Sequence, residues 1–443
     1  MLNKVASITL GCAKNQVDTE FMLGTLVGSN YVIVEEPTLA DAVVINTCCF
    51  IDAAKEETVN AILEVVKMKQ LRPAVKLIVV GCAAQKYGNE LLQEIPEIDA
   101  LLGTGQLGVL KDVLDQLSIH DSQPIVAIND APEEGEPTSR RWVTSRPSAP
   151  LKIADGCDKH CSYCVIPQIR GPYRSRSLDS LVAEARQLAD TGVKELCLVA
   201  QDVTAYGLDR YGDLKLPALL RELVKIKGLQ WIRLLYCYPT YLTDELLEVI
   251  RQEPKICRYL DIPLQHADRD ILKKMGRPGD RQLIEKILTK VRTLVPGVAI
   301  RTTFIVGFPG ETESQFQGLL DFMKEQRFQW AGVFTYSQEP GTAAGEMECQ
   351  IEDTVKEERY HRAMMLQREI TLQLNEQWIG KRVPVLVEAP WEEGGYVGRT
   401  QMQAPEVDGV VFFHSSMDHQ PGDMVEVLIT GVDEYDLVGE MAK

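Results

Sequence analysis

Two groups of cysteines carry whatever chemistry this chain performs. Cys157, Cys161 and Cys164 stand at C-x3-C-x2-C spacing in the run Ala154-Asp-Gly-Cys-Asp-Lys-His-Cys-Ser-Tyr-Cys164. Thiolates are soft ligands suited to iron–sulfur clusters or zinc. Three thiolates on a four-iron cubane leave one iron open, whereas a cluster that only carries electrons normally takes four. Structural zinc also wants a fourth ligand and typically brings C-x2-C pairs. His160 adjoins Cys161 and is badly placed to reach round as that ligand. The spacing therefore favours an open-iron cluster over zinc.

Cys12, Cys48 and Cys82 lie far apart in sequence, yet each stands at the end of an apolar run: Ile8-Thr-Leu-Gly-Cys12, Ile45-Asn-Thr-Cys48 and Val79-Val-Gly-Cys82. In an open parallel sheet the carboxyl ends of the strands line one edge, where ligands bind. Three strands can thus deliver three thiols to one place, with Gly11 and Gly81 letting the backbone turn sharply beneath them. Buried cysteines also serve as small apolar residues, but three in equivalent positions point to a second cluster. Cys49 adjoins Cys48, and either could be the ligand. Cys197, Cys237, Cys257 and Cys349 lack partners at ligand spacing.

The elements that must position these residues follow a βα rhythm, so the chain is read as α/β. Residues 1–120 give strands at Val5–Leu10, Ala42–Asn46 and Lys76–Val80, with helices at Gln16–Gly28, Ala53–Lys69 and around Glu90, hence an open, mostly parallel sheet. Residues 121–150, rich in Pro, Glu, Ser and Arg, read as a linker. From Leu151 six strands are expected, at Leu151–Ala154, Leu196–Gln201, Trp231–Tyr236, Tyr259–Ile262, Ala299–Val306 and Trp330–Tyr336. Six βα units are fewer than the eight of a closed barrel, so a partial (β/α) barrel is expected over 151–380, ending in a long helix, Thr354–Trp378. Over 381–443 the alternation of Val383, Val385 and Val387, and of Val425, Val427 and Ile429, predicts a small antiparallel β-barrel or sandwich.

The chain has 443 residues, 47 basic and 64 acidic side chains and a formal charge of −17. That balance argues against a broad grip on nucleic-acid phosphates. No export signal and no run long enough to span a membrane is seen, so a soluble cytosolic protein is expected. Eleven cysteines, an odd number, in such a chain argue for metal ligation rather than a disulfide framework.

With Tyr163 in the aromatic slot, C-x3-C-x-aromatic-C resembles the signature of radical S-adenosylmethionine (SAM) enzymes. Ser7-Ile-Thr-Leu-Gly-Cys12-Ala-Lys-Asn15, Asn46-Thr-Cys48 and Gly81-Cys82 resemble the N-terminal domain of the methylthiotransferases in that superfamily, and the C-terminal segment looks like a TRAM domain. The resemblance covers nearly the whole chain. It implies two 4Fe–4S clusters, one on Cys12, Cys48 and Cys82 and one on Cys157, Cys161 and Cys164, with SAM chelated at the open iron of the second and cleaved to a 5′-deoxyadenosyl radical. It favours Cys48 over Cys49, although the family more often has Gly where Cys49 stands. Gln201, Gln265 and Arg301 stand near strand ends and, with Tyr163, are candidates to line the SAM pocket; ordinary exposed polar residues are the alternative. Gly307-Phe-Pro-Gly310 could approach SAM closely or merely reverse the chain. His266 is read as a hydrogen-bonded structural histidine rather than a proton shuttle.

Two branches of the family compete. One modifies adenosine in transfer RNA; the other modifies the β-carbon of an aspartate on the twelfth small-subunit ribosomal protein. Leu10-Gly-Cys-Ala-Lys-Asn-Gln-Val-Asp18, Leu260–His266, Gln201-Asp202 with Ala205-Tyr-Gly207, and Asp433–Leu437 resemble the second. Residues 381–443 hold four basic and twelve acidic side chains, net −8, a charge suited to a basic ribosomal protein and unsuited to RNA. Glu406, Asp408, Asp433 and Asp436 are the acidic positions expected to attract it. An electron donor such as flavodoxin or ferredoxin is implied. A non-catalytic iron–sulfur carrier or zinc-binding adaptor is the reading from another class.

Overall fold

Uninterrupted runs of Val, Ile, Leu and Ala form strands buried on both faces, as parallel sheets covered by helices require. The computed structural model describes residues 2–119, 123–129, 140, 147–277, 279–392 and 394–442. They form two compact units. The first comprises 1–145 with 155–159 and 164–174; the second comprises 146–154, 160–163 and 175–443.

In the first unit, β1 (Lys4–Thr9), β2 (Val32–Ile33), β3 (Ala42–Thr47), β4 (Lys76–Gly81), β5 (Ala100–Leu102) and β6 (Ile125–Ala127) pair in the order β2-β1-β3-β4-β5-β6. Every pairing is parallel. Helices α1 (Ala13–Gly24), α2 (Asp52–Leu71), α3 (Cys82–Glu94), α4 (Leu110–Ile119) and the short α5 (Ile166–Arg170) complete it. One apolar layer runs through Val5, Val44, Ile78 and Leu114, the other through Ile45, Ile62, Val79 and Leu101. Each fully buried aliphatic side chain contributes roughly 1.5–3 kcal/mol. The periodicity located the three long strands and their helices but missed β2 and β5, which are only two and three residues long. The expectation of a linker over 121–150 needs correcting at its ends: Ile125–Ala127 pairs with β5, and Ser148–Pro150 opens the next strand. Between them, residues 130–139 and 141–146 lie outside the described residues.

In the second unit, β7 (Ser148–Lys152), β8 (Glu195–Val199), β9 (Trp231–Leu234), β10 (Ile256–Asp261), β11 (Ala299–Val306) and β12 (Trp330–Thr335) pair in chain order. All these pairs are parallel. Six sequential parallel strands joined by helices make the expected open (β/α) barrel. The terminal helix is Asp353–Asn375, continued by one 3-10 turn, Glu376–Trp378.

A closed five-stranded barrel follows, β13 (Arg382–Trp391), β14 (Gly395–Arg399), β15 (Val411–His414), β16 (Met424–Asp433) and β17 (Asp436–Met441), in the order β13-β14-β15-β17-β16. Val383, Val385, Val387, Val425, Val427 and Ile429 all point into its core, as the alternation predicts. One pairing, β15 with β17, is parallel rather than antiparallel. The barrel is fixed to the amino ends of the sheet strands by a buried ion cluster. Glu195 accepts from Arg233 Nε at 2.7 Å and from Arg399 Nη2 and Ser148 Oγ at 2.6 Å each. Burial pushes the Glu195 carboxyl up, but Arg399 and Arg233 outweigh it and hold the pKa down at about 2.

Candidate functional site

β1, β3 and β4 are neighbours, and their carboxyl ends are level, with Thr9 opposite Asn46 and Thr47 opposite Gly81. Cys12 caps α1 three residues past β1, Cys48 directly follows β3, and Cys82 is the first residue of α3 directly after β4. Glycine is required at two of these turns. Gly11 has φ +86°, and a Cβ there would lie 2.7 Å from Cys48 Cβ and 2.9 Å from its Sγ. Gly81 has φ +91°, and its Cβ would strike Asn46 Oδ1 at 2.2 Å.

Polar side chains lace the three turns together. Asn15 Nδ2 donates to the carbonyls of Leu10 at 2.9 Å and Thr47 at 3.0 Å, and Asn46 Nδ2 donates to the carbonyl of Asn15 at 2.8 Å. Thr47 Oγ1 donates to the Val80 carbonyl at 2.6 Å, and Thr58 Oγ1 to the Cys48 carbonyl at 2.7 Å. Arg170 Nη2 points at Cys82 Sγ, 3.8 Å away. Burial pushes the Cys82 thiol up to about 11 against the pull of Arg170, with the Cys12 and Cys48 charges adding to the rise. Burial and Cys12 also raise Cys48, the backbone N–H of Phe50 pulling the other way. At Cys12 burial is outweighed by Lys14, Arg170 and backbone N–H groups, so its pKa falls. The three thiols are therefore within electrostatic reach of one another. Cys49 packs fully buried into an apolar cluster with Ala83, Val165 and Ile169, which Cys82 also joins. Cys48 instead lies against the Gly11 turn.

Cys157, Cys161 and Cys164 are all part-exposed on the loop between β7 and α5. Its first residues belong to the first unit: Cys157 N–H donates to the Gly171 carbonyl at 3.1 Å, and Tyr173 N–H to Asp158 Oδ1 at 2.9 Å. Residues 160–163 belong to the second: Ser162 N–H donates to the Met275 carbonyl at 3.0 Å, and Arg277 Nη1 lies 3.8 Å from Cys161 Sγ. Tyr163 packs against an apolar cluster containing Met275, Phe308 and Tyr336. Among the described residues, no three His, Cys, Asp or Glu side chains gather round one ion-sized position. Three soft thiolate donors, gathered at the ends of adjacent strands in one case and on one loop in the other, suit an iron–sulfur cluster.

The remaining candidates divide. Gln201 lies two residues past β8 and is half-buried. Gln265 lies beyond β10 with φ +73°, its backbone bonded to Thr303 and Ile305 of β11. A non-glycine residue there is strained, and such strain collects at functional sites. Arg301 is not at a strand end: it is the third residue of β11, held by Asp261 at 3.2 Å and Asp408 at 3.3 Å. Asp408 is also no surface charge, since it is buried and accepts from Tyr259 Oη at 2.7 Å and Ala404 N–H at 2.8 Å. Asp436 Oδ1 accepts from Val410 N–H at 2.7 Å. His266 is fully buried; its Nδ1 accepts from Asp268 N–H at 2.9 Å and its Nε2 lies 3.1 Å from Glu311. That is the structural role expected of it. Glu311 also receives Gly307 N–H and Arg359, so it fastens the Gly307–Gly310 turn.

Sequence reasoning missed Arg170. Asn15 and Asp18, one helical turn apart after Cys12, were visible as polar residues on one face of α1. Their guanidinium partner stands more than 150 positions away and gave no local signal.

Sequence models of three families match the chain: Uncharacterized protein family UPF0004 over residues 4–103, the Radical SAM superfamily over 151–323, and the TRAM domain over 379–442. The curated proteins named ribosomal protein uS12 methylthiotransferase RimO from Desulforamulus reducens and Moorella thermoacetica are each 48% identical, and that from Desulfitobacterium hafniense is 43% identical. Each of these alignments covers 99% of this chain and 99% of the relative. Among solved structures, the radical SAM methyltransferase TsrM from Kitasatospora setae, with cobalamin and a 4Fe–4S cluster bound, aligns with TM-score 0.58 at 16% identity, covering 90% of this chain and 81% of that one. The radical SAM enzyme OxsB aligns with TM-score 0.54 at 12% identity, covering 83% and 56%. These two likenesses speak to the fold alone. The radical-SAM assignment brings a 4Fe–4S cluster and SAM as cofactors, which the thiol-lined loop beside a parallel sheet fits. By end-to-end identity with its curated relatives, the chain belongs to the RimO family and is a radical-SAM methylthiotransferase.

Proposed function

We propose that this enzyme adds a methylthio group to the β-carbon of an aspartate on ribosomal protein uS12, using two 4Fe–4S clusters. Cys12, Cys48 and Cys82 would hold one cluster, and Cys157, Cys161 and Cys164 the other. When bound, the clusters and SAM supply the radical that removes hydrogen from the substrate and the sulfur that replaces it. The chain's own residues do the holding. Gly11 and Gly81 bring the turns close, Asn15 and Thr47 lock them, and Arg277 reaches toward Cys161. Tyr163, Gln201 and Gln265 remain the candidates for SAM contacts, while the Asp261 and Asp408 pairings make Arg301 a support for the barrel interior. The working division is 1–120, 151–380 and 381–443, acting in the cytoplasm with a flavodoxin- or ferredoxin-like electron donor. No helix among the described residues is long and apolar enough to cross a membrane.

The observation that carries this reading is the full-length identity to curated uS12 methylthiotransferases. The net −8 of residues 381–443 supports a basic protein substrate over transfer RNA. Reconstituted enzyme should be offered uS12 and transfer RNA separately, and both products examined by mass spectrometry. A methylthiolated aspartate on uS12 is expected. Modification of transfer RNA with uS12 untouched would refute the substrate and leave the radical chemistry standing. Glu406→Lys with Asp433→Lys, both exposed, should slow uS12 association several-fold at low salt, and the difference should shrink as salt rises.

A further inference from the structure

We propose that Arg170 is a positioning residue of the N-terminal cluster, holding the Cys82 sulfur with a buried guanidinium that also grips Asp155, two residues ahead of Cys157. Arg170 ends α5 and is 4% exposed. Its Nη2 donates to Asn15 Oδ1 at 2.7 Å and lies 3.8 Å from Cys82 Sγ. Its Nη1 lies 2.9 Å from Asp18 Oδ2 and 2.9 Å from Asp155 Oδ2. All of these partners lie in the first unit.

Burying a guanidinium costs several kcal/mol, and one carboxylate in good geometry would offset much of that. Here two carboxylates meet one cation, and a donor still faces a sulfur. The protein tunes an iron–sulfur centre through net charge and hydrogen bonds to sulfur. Arg170 supplies both to Cys82, and its charge does not titrate. Asp18 and Asp155 offset part of that charge, so each sets how positive the field at the sulfur is. Because Asp155 sits just ahead of Cys157, the same contact fixes the start of the loop carrying the other triad. A merely structural ion pair would hold α5 in place without setting any property of the cluster.

The inference rests on the N-terminal cluster proposed above and is tested in the full-length Cys157→Ala, Cys161→Ala, Cys164→Ala variant, reconstituted anaerobically with iron and sulfide. Iron content and the reduction midpoint, followed by electron paramagnetic resonance, are compared with and without Asp18→Asn or Arg170→Lys. Asp18→Asn removes a negative charge and should raise the midpoint. Arg170→Lys loses the forked donor and should lower it. Midpoints that do not move, or that move together, overturn the role of Arg170 while leaving the cluster in place. Should Arg170→Lys load no cluster, Asp18→Asn decides alone: a raised midpoint supports the inference and any other result overturns it. A parent variant that binds no iron overturns the N-terminal cluster itself, and this inference with it.

Discussion

Cys157, Cys161 and Cys164 come from one short loop and are part-exposed, whereas Cys12, Cys48 and Cys82 are each carried past the end of a different strand, Cys48 and Cys82 buried and Cys12 part-exposed. The loop triad is set by local spacing, and its surroundings decide only how the loop is held. The strand-end triad exists only because β1, β3 and β4 are neighbours in register. An error in that register would scatter it. One consequence is electrostatic: burial pushes the Cys48 and Cys82 thiols up against the pull of Arg170, so the proposed cluster would itself have to draw them into the thiolate form.

The sharpest way to break this comparison is to delete the loop triad. Replacing Cys157, Cys161 and Cys164 with Ala should abolish 5′-deoxyadenosine formation from SAM while about four irons stay on the strand-end triad. Persistent SAM cleavage would sink the assignment of roles, and loss of all iron would show that the two triads are not independent.

A single-residue contrast follows at the strand-end triad. Cys48→Ala should lose its iron. Cys49→Ala should keep it and cost about 1 kcal/mol in stability, the usual size for a small buried truncation, since Cys49 packs into apolar side chains. Iron analysis and denaturant melts separate the two; full iron in Cys48→Ala would show that the neighbour is the ligand.

The smallest expected effect on chemistry, though not on stability, comes from beneath the second sheet. Glu195→Gln should destabilise the second unit by about 3–5 kcal/mol, because it leaves Arg233 and Arg399 buried without their shared carboxylate. The Glu195 pKa is depressed to about 2 from 4.5, so its stabilisation is complete above about 4.5 and fades as pH falls toward 2. Denaturation midpoints measured from pH 5 down to 2 should fall more steeply in the parent than in the variant. Iron on Cys12, Cys48 and Cys82 should be unchanged, since Glu195 lies in the other unit.

Much of this was legible from pattern alone. The apolar runs at Ala299–Val306 and Trp330–Thr335, the alternation of Val383 to Val387 and the C-x3-C-x2-C spacing each report on residues close in sequence, where periodicity and ligand spacing act directly. The strand-end triad was legible because a parallel sheet sends all its carboxyl ends to one edge. Short β5 and β6 were not, since three residues carry too little periodicity to register. Arg301 looked like a pocket residue and Asp408 like a surface charge because both are polar. Only the packing of the five-stranded barrel revealed that the Asp408 side chain is enclosed and paired with a part-exposed Arg301. The sequence by itself determined which residues could bind metal and the order of the βα units, because those follow from residue type and local period. The tertiary structure decided which neighbour of the Cys48–Cys49 pair faces the Gly11 turn. It alone placed Arg170 beside Cys82, because burial and long-range charge pairing depend on distances that no local pattern encodes.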